Sequence, residues 1–445
     1  MLLVLYKLQK VVTWSSSMDM NIVRRELLLP VKEIATNNAN LPVRDIYTQS
    51  RVGLSDAEIM QMPSYSATQR LVDRNREIPG RSDIDAVEIA NIVIQGNFAI
   101  DSTGQRYLLY DSRADNPNDV VFIIWATDEG LIRLRTYHHW SSDGTFKVSP
   151  KNFLQLYTIN VLVEQSSLVC AFILMGNKAA PTYVRVFQRI SGHLNGNNPE
   201  SIIIDFEQGV KNAISQVWPA VIIRSCLFHL GQSIIRRVQR GFINLYENDE
   251  EVRLVIRSLA SLSLLPQNKV NDAFNILNRQ NVAQNMVQPI FEYFQRTYII
   301  RENGELPLFP IHLWNHHDSV LNDLGRTNNA IESFHKSLRA HFSSVHPPLS
   351  KYNYILIFQF SLRLIHVMKT EERIVQDKLR VYELDHTRGI TLRPRARKYK
   401  NNDAALKTLV LHFDNNPNMN DDQILNHLRA IQFRLADNGF NNWDD

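Results

Sequence analysis

Cysteine is nearly missing from the sequence. Only Cys170 and Cys226 occur in 445 residues, which excludes a disulfide framework and any four-cysteine zinc module, and points to a reducing compartment. Long apolar runs are missing too. The opening Met1-Leu2-Leu3-Val4-Leu5-Tyr6 is cut by Lys7 and Lys10, too short for a signal core, and no stretch approaches the ~20 apolar residues of a membrane helix. A dominant charge is also absent. The 49 Lys and Arg against 45 Asp and Glu leave +4, which is compatible with a nucleic-acid partner without arguing for one. No internal repeat or low-complexity tract is visible. The composition reads as a soluble intracellular protein whose 44% hydrophobic content can fill the cores of two or three folding units.

What is present centres on Ser201-Ile202-Ile203-Ile204-Asp205-Phe206-Glu207. A branched apolar run of this kind suits a strand buried on both faces, and Asp205 then stands at its carboxyl end, where open α/β sheets bind ligands. Upstream, Asn97–Ile100 and Tyr107–Tyr110 around Asp101-Ser102-Thr103-Gly104 predict a β-hairpin, and Val120–Trp125 is another apolar run. Trp140–Phe146, Leu154–Val163 and Leu168–Gly176 predict three antiparallel strands. A helix over Thr182–Ile190, the Asp205 strand, a helix over Gly209–Trp218 and a strand near Ala220–Ile223 follow. The order is that of a ribonuclease-H-like α/β sheet.

The expected organisation is an N-terminal region over 1–115, mixed in structure and carrying the hairpin, and the first part of the core over 116–230. A helical insertion over 231–318, closing core helices over 319–370 and a basic, helical tail over 371–445 complete it. In the insertion, Val252-Val255-Ile256-Leu259, Val270-Phe274-Leu277 and Ile290-Phe294-Tyr298 space apolar residues on single helix faces, with Pro266 and Pro289 as punctuation. Ser55 and Glu58 stand at capping-box spacing, and the arginines between Arg70 and Arg81 read as a solvated helix.

Three acids stand out. Asp143 lies inside a predicted strand, where a turn, a salt-bridged core acid and a metal ligand are competing explanations. The sheet order makes its strand a neighbour of the Asp205 strand, and two adjacent carboxylates repel unless a divalent cation lies between them. Glu332 belongs to a helix in which Ile331, Phe334 and Leu338 form the expected buried stripe, leaving Glu332 and His335 on one flank. Alone, Glu332 reads as a surface acid near a helix N-terminus. Cys226 and His229 have half a zinc-site spacing, but no second half is evident, so zinc is disfavoured and a structural or substrate-positioning role is preferred. Arg388, Arg393, Arg395, Arg397, Lys398 and Lys400 form a basic run: a DNA contact, a nuclear-import signal, or a solvated loop.

Several blocks resemble the MULE (Mutator-like) transposase domain of the DDE superfamily. They are Asp143-Gly144-Thr145-Phe146 with Pro150 and Phe153-Leu154-Gln155-Leu156-Tyr157-Thr158-Ile159, Asp205-Phe206-Glu207 with Asn212-Ala213-Ile214, Cys226-Leu227-Phe228-His229-Leu230, and Leu313-Trp314-Asn315 ahead of Arg326-Thr327-Asn328-Asn329-Ala330-Ile331-Glu332. The resemblance implies a DDE triad of Asp143, Asp205 and Glu332 holding two Mg²⁺ or Mn²⁺ ions for cleavage and joining of double-stranded DNA at transposon ends. It implies supporting roles for Cys226, His229 and His335, and phosphate contacts from Arg326 and Lys336. A nuclear location and a homo-oligomer on DNA go with it. Relatives of this type often carry an N-terminal FLYWCH-like zinc finger, which the cysteine count does not provide here. The alternative expectation is therefore a domesticated, inactive transposase-derived DNA-binding or regulatory protein.

Overall fold

The computed structural model describes residues between 27 and 72 with gaps, and residues 94–437 with short breaks, the longest at 341–353 and over most of 386–396. The chain divides into two compact units, residues 1–88 with 342–345, and the remainder. In the first, α1 (Leu29–Asn37) and α2 (Val43–Gln49) close a small core of Val31, Ala35, Ile46, Met62 and Val72. The Glu58 carboxylate accepts from the Ser55 backbone N–H at 2.7 Å, as a capping box does. The helix expected from Arg70 to Arg81 lies almost entirely outside the described residues.

The second unit is built on a seven-stranded mixed sheet in the order β1-β2-β5-β4-β3-β6-β7. The strands are β1 (Leu108–Asp111), β2 (Phe122–Trp125), β3 (His139–Thr145), β4 (Gln155–Val163), β5 (Ser166–Met175), β6 (Ser201–Ile204) and β7 (Ile222–Ser225). Parallel pairing joins β3 to β6 and β6 to β7; the remaining pairs are antiparallel. Within the expected hairpin over 97–112, Asp101 wraps the turn by accepting from the Thr103 and Gln105 backbone N–H groups. An antiparallel Ile100–Arg106 bridge is flanked by bonds from the Asp101 N–H to the Gln105 carbonyl and from the Tyr107 N–H to the Ala99 carbonyl. Residues Leu108–Asp111 pair instead with β2, whose four residues are all buried.

Pleating sends alternate side chains to two helical layers. On one face, Trp140 and Tyr157 meet α4 (Ala180–Ser191) and α5 (Gln208–Val217) through Tyr183, Phe187 and Trp218. On the other, α3 (Asp128–Thr136) lies so close to β5 that a Cβ on Gly130 would stand 2.6 Å from the Cys170 carbonyl oxygen. From β7 the chain enters α6 (Leu227–Gln239), and then α7 (Ile243–Asn248), α8 (Glu250–Ser261), α9 (Val270–Arg279) and α10 (Gln284–Phe294). Pro289 sits inside α10 rather than ending it. It removes one hydrogen bond in the middle of the helix, while Ile290, Phe291 and Phe294 are fully buried and hold the segment. Two short helices, α11 (Ile311–Trp314) and α12 (His317–Leu321), lead back to the sheet.

The chain then forms α13 (Asn329–Ala340) and α14 (Tyr354–Asp385), which runs well past the expected end of the closing helices at 370. Arg133 of α3 and Glu372 of α14 form a 2.8 Å ion pair at only 4% exposure each, and Thr127 donates to the same carboxylate. The last helices, α15 (Arg397–Asp414) and α16 (Asp421–Asp437), do not stand apart as a tail. Leu406, Val410, Phe413, Leu428, Ile431 and Leu435 share one core with α6 and α8–α10.

Candidate active site

The site lies where β3 and β6 run side by side. Ser141 pairs with Ile203, so two residues on, Asp143 and Asp205 come level on neighbouring strands. A Cβ at Gly144 would meet the Gln155 side-chain oxygen at 2.2 Å, so glycine leaves room for Gln155 on the face of β3 opposite to Asp143, where it reaches Tyr183. The third acid arrives on α13. Asn328, just before that helix, donates from its side chain to the Ser142 carbonyl (3.3 Å) and from its backbone to Cys226 Sγ (3.1 Å). The Leu227 N–H donates to the Arg326 carbonyl at 3.0 Å. These bonds stitch the start of α13 to β3 and to the start of α6. That is the physical role of Cys226, which is fully buried.

Two histidines complete the arrangement. His229, on the first turn of α6, points Nδ1 at Asp205 Oδ1 (2.7 Å) and Nε2 at Glu332 Oε1 (3.5 Å). The first approach is close but poorly aligned. Asp205 Oδ1, Glu332 Oε1 and His229 Nδ1 are buried atoms without a directed hydrogen bond. His335 places Nδ1 3.4 Å from Asp143 Oδ2, and its Nε2 faces the Thr158 hydroxyl at 3.3 Å. The buried stripe of α13 is therefore Ile331, His335 and Leu338. Phe334 is only partly buried, against Phe172, because the helix turns its histidine rather than its phenylalanine toward Asp143.

The charges feel one another. Burial raises the Asp205 pKa above the ordinary carboxylate value; Asp143 and Glu207 add to the rise, while His229 opposes it. Burial likewise raises Glu332, with Asp143 and Asp205 adding to it and His229 opposing. Burial pushes His229 down, but its contacts to Asp205 and Cys226 overcome that and carry it up to about 11, so its imidazolium stands between two carboxylates. Among the described residues, no three His, Cys, Asp or Glu side chains are gathered tightly enough to grip a metal ion as they stand. The donor chemistry still fits a hard divalent cation. Carboxylate oxygens suit Mg²⁺ and Mn²⁺, and the two orphaned oxygens, Asp205 Oδ1 and Glu332 Oε1, are the ones that His229 faces.

A neighbouring network was not read from the sequence. Glu207 accepts from Lys178 Nζ (2.7 Å) and from the Tyr183 hydroxyl (2.9 Å), and Gln155 donates to that hydroxyl at 2.6 Å. Glu207 stands two residues after Asp205, and that adjacency was the available signal. Thr158 carried no signal, because it reaches the site only through strand pairing with Asp143.

The basic residues divide. Arg326 is paired with Asp403 at 2.6 Å in a mostly buried contact, so it serves packing and is not open to phosphate. Lys336 and Arg397 are exposed; Arg393 and Arg395 lie outside the described residues, as does the side chain of Lys398.

The class defined by these observations is a mixed α/β protein with acids and histidines converging at the end of a central parallel strand pair. Residues 139–233 match the MULE transposase domain family. The matched stretch carries Asp143, Asp205, Cys226 and His229, and leaves Glu332 and His335 beyond its end. Such a domain implies DNA as a partner. No curated protein matches the chain. Among the described residues, no helix is long and apolar enough to cross a membrane.

Proposed function

We propose that this chain is a DDE-type transposase on a ribonuclease-H-like core, with the helical layer inserted between α6 and α13, and that it cleaves and joins DNA at transposon ends. The observation that carries the reading is the convergence of Asp143, Asp205 and Glu332, three acids from distant parts of the chain, around His229 and His335, with burial and the neighbouring Asp143 carboxylate raising the proton affinity of Asp205 and Glu332. Structural acids are ordinarily neutralised and hydrogen-bonded when buried.

Asp143, Asp205 and Glu332 are the residues to hold two Mg²⁺ or Mn²⁺ ions, which when bound would activate water and steady the leaving oxygen of a phosphodiester. The rest is done by the chain's own groups. His335, fixed by Thr158, orients the Asp143 carboxylate. His229 keeps a positive charge beside Asp205 and Glu332, suited to holding a phosphate oxygen close to the acids. Cys226 and Asn328 keep α6 and α13 in register, so that His229 and Glu332 meet.

The test is cleavage and strand transfer on DNA carrying the element's ends, in Mg²⁺ or Mn²⁺, alongside calorimetric titration of Mn²⁺. Wild type should bind the ion and cut, and Asp205→Asn should lose both while folding normally. Unchanged ion binding and cutting in Asp205→Asn would remove the reading.

A further inference from the structure

Helix α6 does more than present His229. Its buried residues, Leu227, Leu230, Gly231, Ile234, Ile235 and Val238, occupy one side. Seen from His229, the positions three, seven and eleven residues on are Gln232, Arg236 and Arg240, which at 3.6 residues per turn fall on His229's own side of the helix. Arg236 and Arg240 are exposed, and Gln232 is partly so. The stripe begins in the acid site and ends about 16 Å away, at ~1.5 Å per residue.

Position and local charge together mark this stripe. Several exposed arginines elsewhere are matched to acids: Arg189 to Asp115, Arg279 to Asp421, Arg301 to Glu305 and Arg373 to Asp377. Others, such as Arg296 and Arg339, have no ion pair among the described residues, so it is the alignment with His229 that sets the α6 arginines apart. Helix α6 contains no acid at all. Among the described residues no Asp or Glu pairs with Arg236 or Arg240; Arg236 is steadied instead by the Gln232 side-chain oxygen at 3.0 Å. That bond fixes a guanidinium without neutralising it, so its remaining donors stay available to an anion. Placing basic residues in the last turn also favours the helix dipole, but that effect fades within a turn and does not require alignment with His229.

We propose that Gln232, Arg236 and Arg240 form a phosphate track along α6, which leads a DNA strand away from the scissile position beside His229. The inference rests on the transposase reading and extends it by naming where the flanking strand runs. Two arginines about a helical turn apart engage two phosphates, and the track spans roughly five nucleotides of a strand laid along it, at ~3.4 Å each.

The experiment is a salt titration of duplex binding by the full chain, comparing wild type with the Arg236→Gln/Arg240→Gln and Arg236→Lys/Arg240→Lys double variants. Matched thermal unfolding checks that these exposed changes leave the fold alone. Each lost phosphate contact lowers the slope of log affinity against log salt by about 0.9, so the Gln pair should lose about 1.8 and the Lys pair should keep the wild-type slope. A wild type without any slope would overturn the DNA reading itself. A wild-type slope that the Gln pair preserves, or that the Lys pair loses equally, would overturn the track alone. Since Cys170 and Cys226 are both buried, Arg240→Cys supplies the accessible thiol for a tethered cleaving chelate. Cuts should centre about five nucleotides from the scissile position, and cuts centred on that position would contradict the track.

Discussion

Two acid–imidazole pairs face each other across the site, and they are built differently. Asp143 and His335 are almost closed to solvent, with side chains 10% and 8% exposed, and His335 spends its second nitrogen on Thr158. Asp205 and His229 are more open, at 34% and 20%, and the second nitrogen of His229 reaches another acid, Glu332. The closed pair ties a helix to a strand. The open pair gathers two carboxylates around one imidazole whose protonated form they favour. The difference teaches that similar imidazoles can be set to different tasks, His335 fixing the place of the Asp143 carboxylate and His229 bridging two acids, depending on what the distal nitrogen meets.

The largest effect should follow from breaking the open pair. Asp205→Asn should cut the rate of strand cleavage by ~10³-fold, as the loss of several kcal/mol of transition-state charge stabilisation implies, with the circular dichroism spectrum unchanged. A smaller rate loss than that of an equivalent change at His335 would invert the assignment of roles.

A third pair supplies the stability yardstick. Removing the carboxylate with Glu372→Ala should cost ~3–5 kcal/mol in denaturant unfolding, because it leaves Arg133 charged and buried. His335→Ala should cost less, about 1–3 kcal/mol, since it removes the imidazole beside one Asp143 oxygen and one of the contacts of the Thr158 hydroxyl, which keeps the Asp143 carbonyl and Asn160 as partners. If His335→Ala is neutral for stability, the closed pair is not the structural one.

The smallest effect is in pH. His229 titrates near 11 instead of 6.5, so the stability it lends is complete below about 6.5 and fades as pH rises toward 11. His316 provides the opposite sign. Full burial drives it down to about 3, its Nε2 facing the Ser225 carbonyl at 2.9 Å, so its neutral form is favoured and stability is lost as pH falls from about 6.5 toward 3. Histidine proton chemical shifts followed through a pH series should show one ring charged and the other neutral at pH 7. Finding both in the same state would erase the contrast.

Much of the site could be read in the sequence because its acids sit on locally recognisable elements. Asp143 interrupts a strand pattern, Asp205 ends an apolar run, and Glu332 follows a helix-start signal. Their partners were less legible in proportion to their distance along the chain. Thr158 faces His335 only because β3 and β4 pair in one particular register, and Glu372 reaches Arg133 across 239 residues. The turn near residue 100 has the same limit. Local chemistry at Asp101–Gly104 predicted its tip, but the pairing of Leu108–Asp111 with β2 lay beyond any local pattern. Pro289 shows the converse, a local breaker overruled by buried aromatic packing. Arg326 could not be distinguished from a phosphate contact until Asp403 came into view.

The shared core of the inserted helices and the final two helices has a consequence for synthesis on the ribosome. The sheet has all seven strands once residue 225 has emerged, whereas the helical layer lacks six of its core side chains until Leu435 is made. For that interval the faces of α8 and α9 that meet α16 lack their late-arriving neighbours, so a stalled or prematurely ended chain would present oily surface to chaperones and proteases. The helical layer is thus closed only some hundred residues after the last of the three acids has been translated.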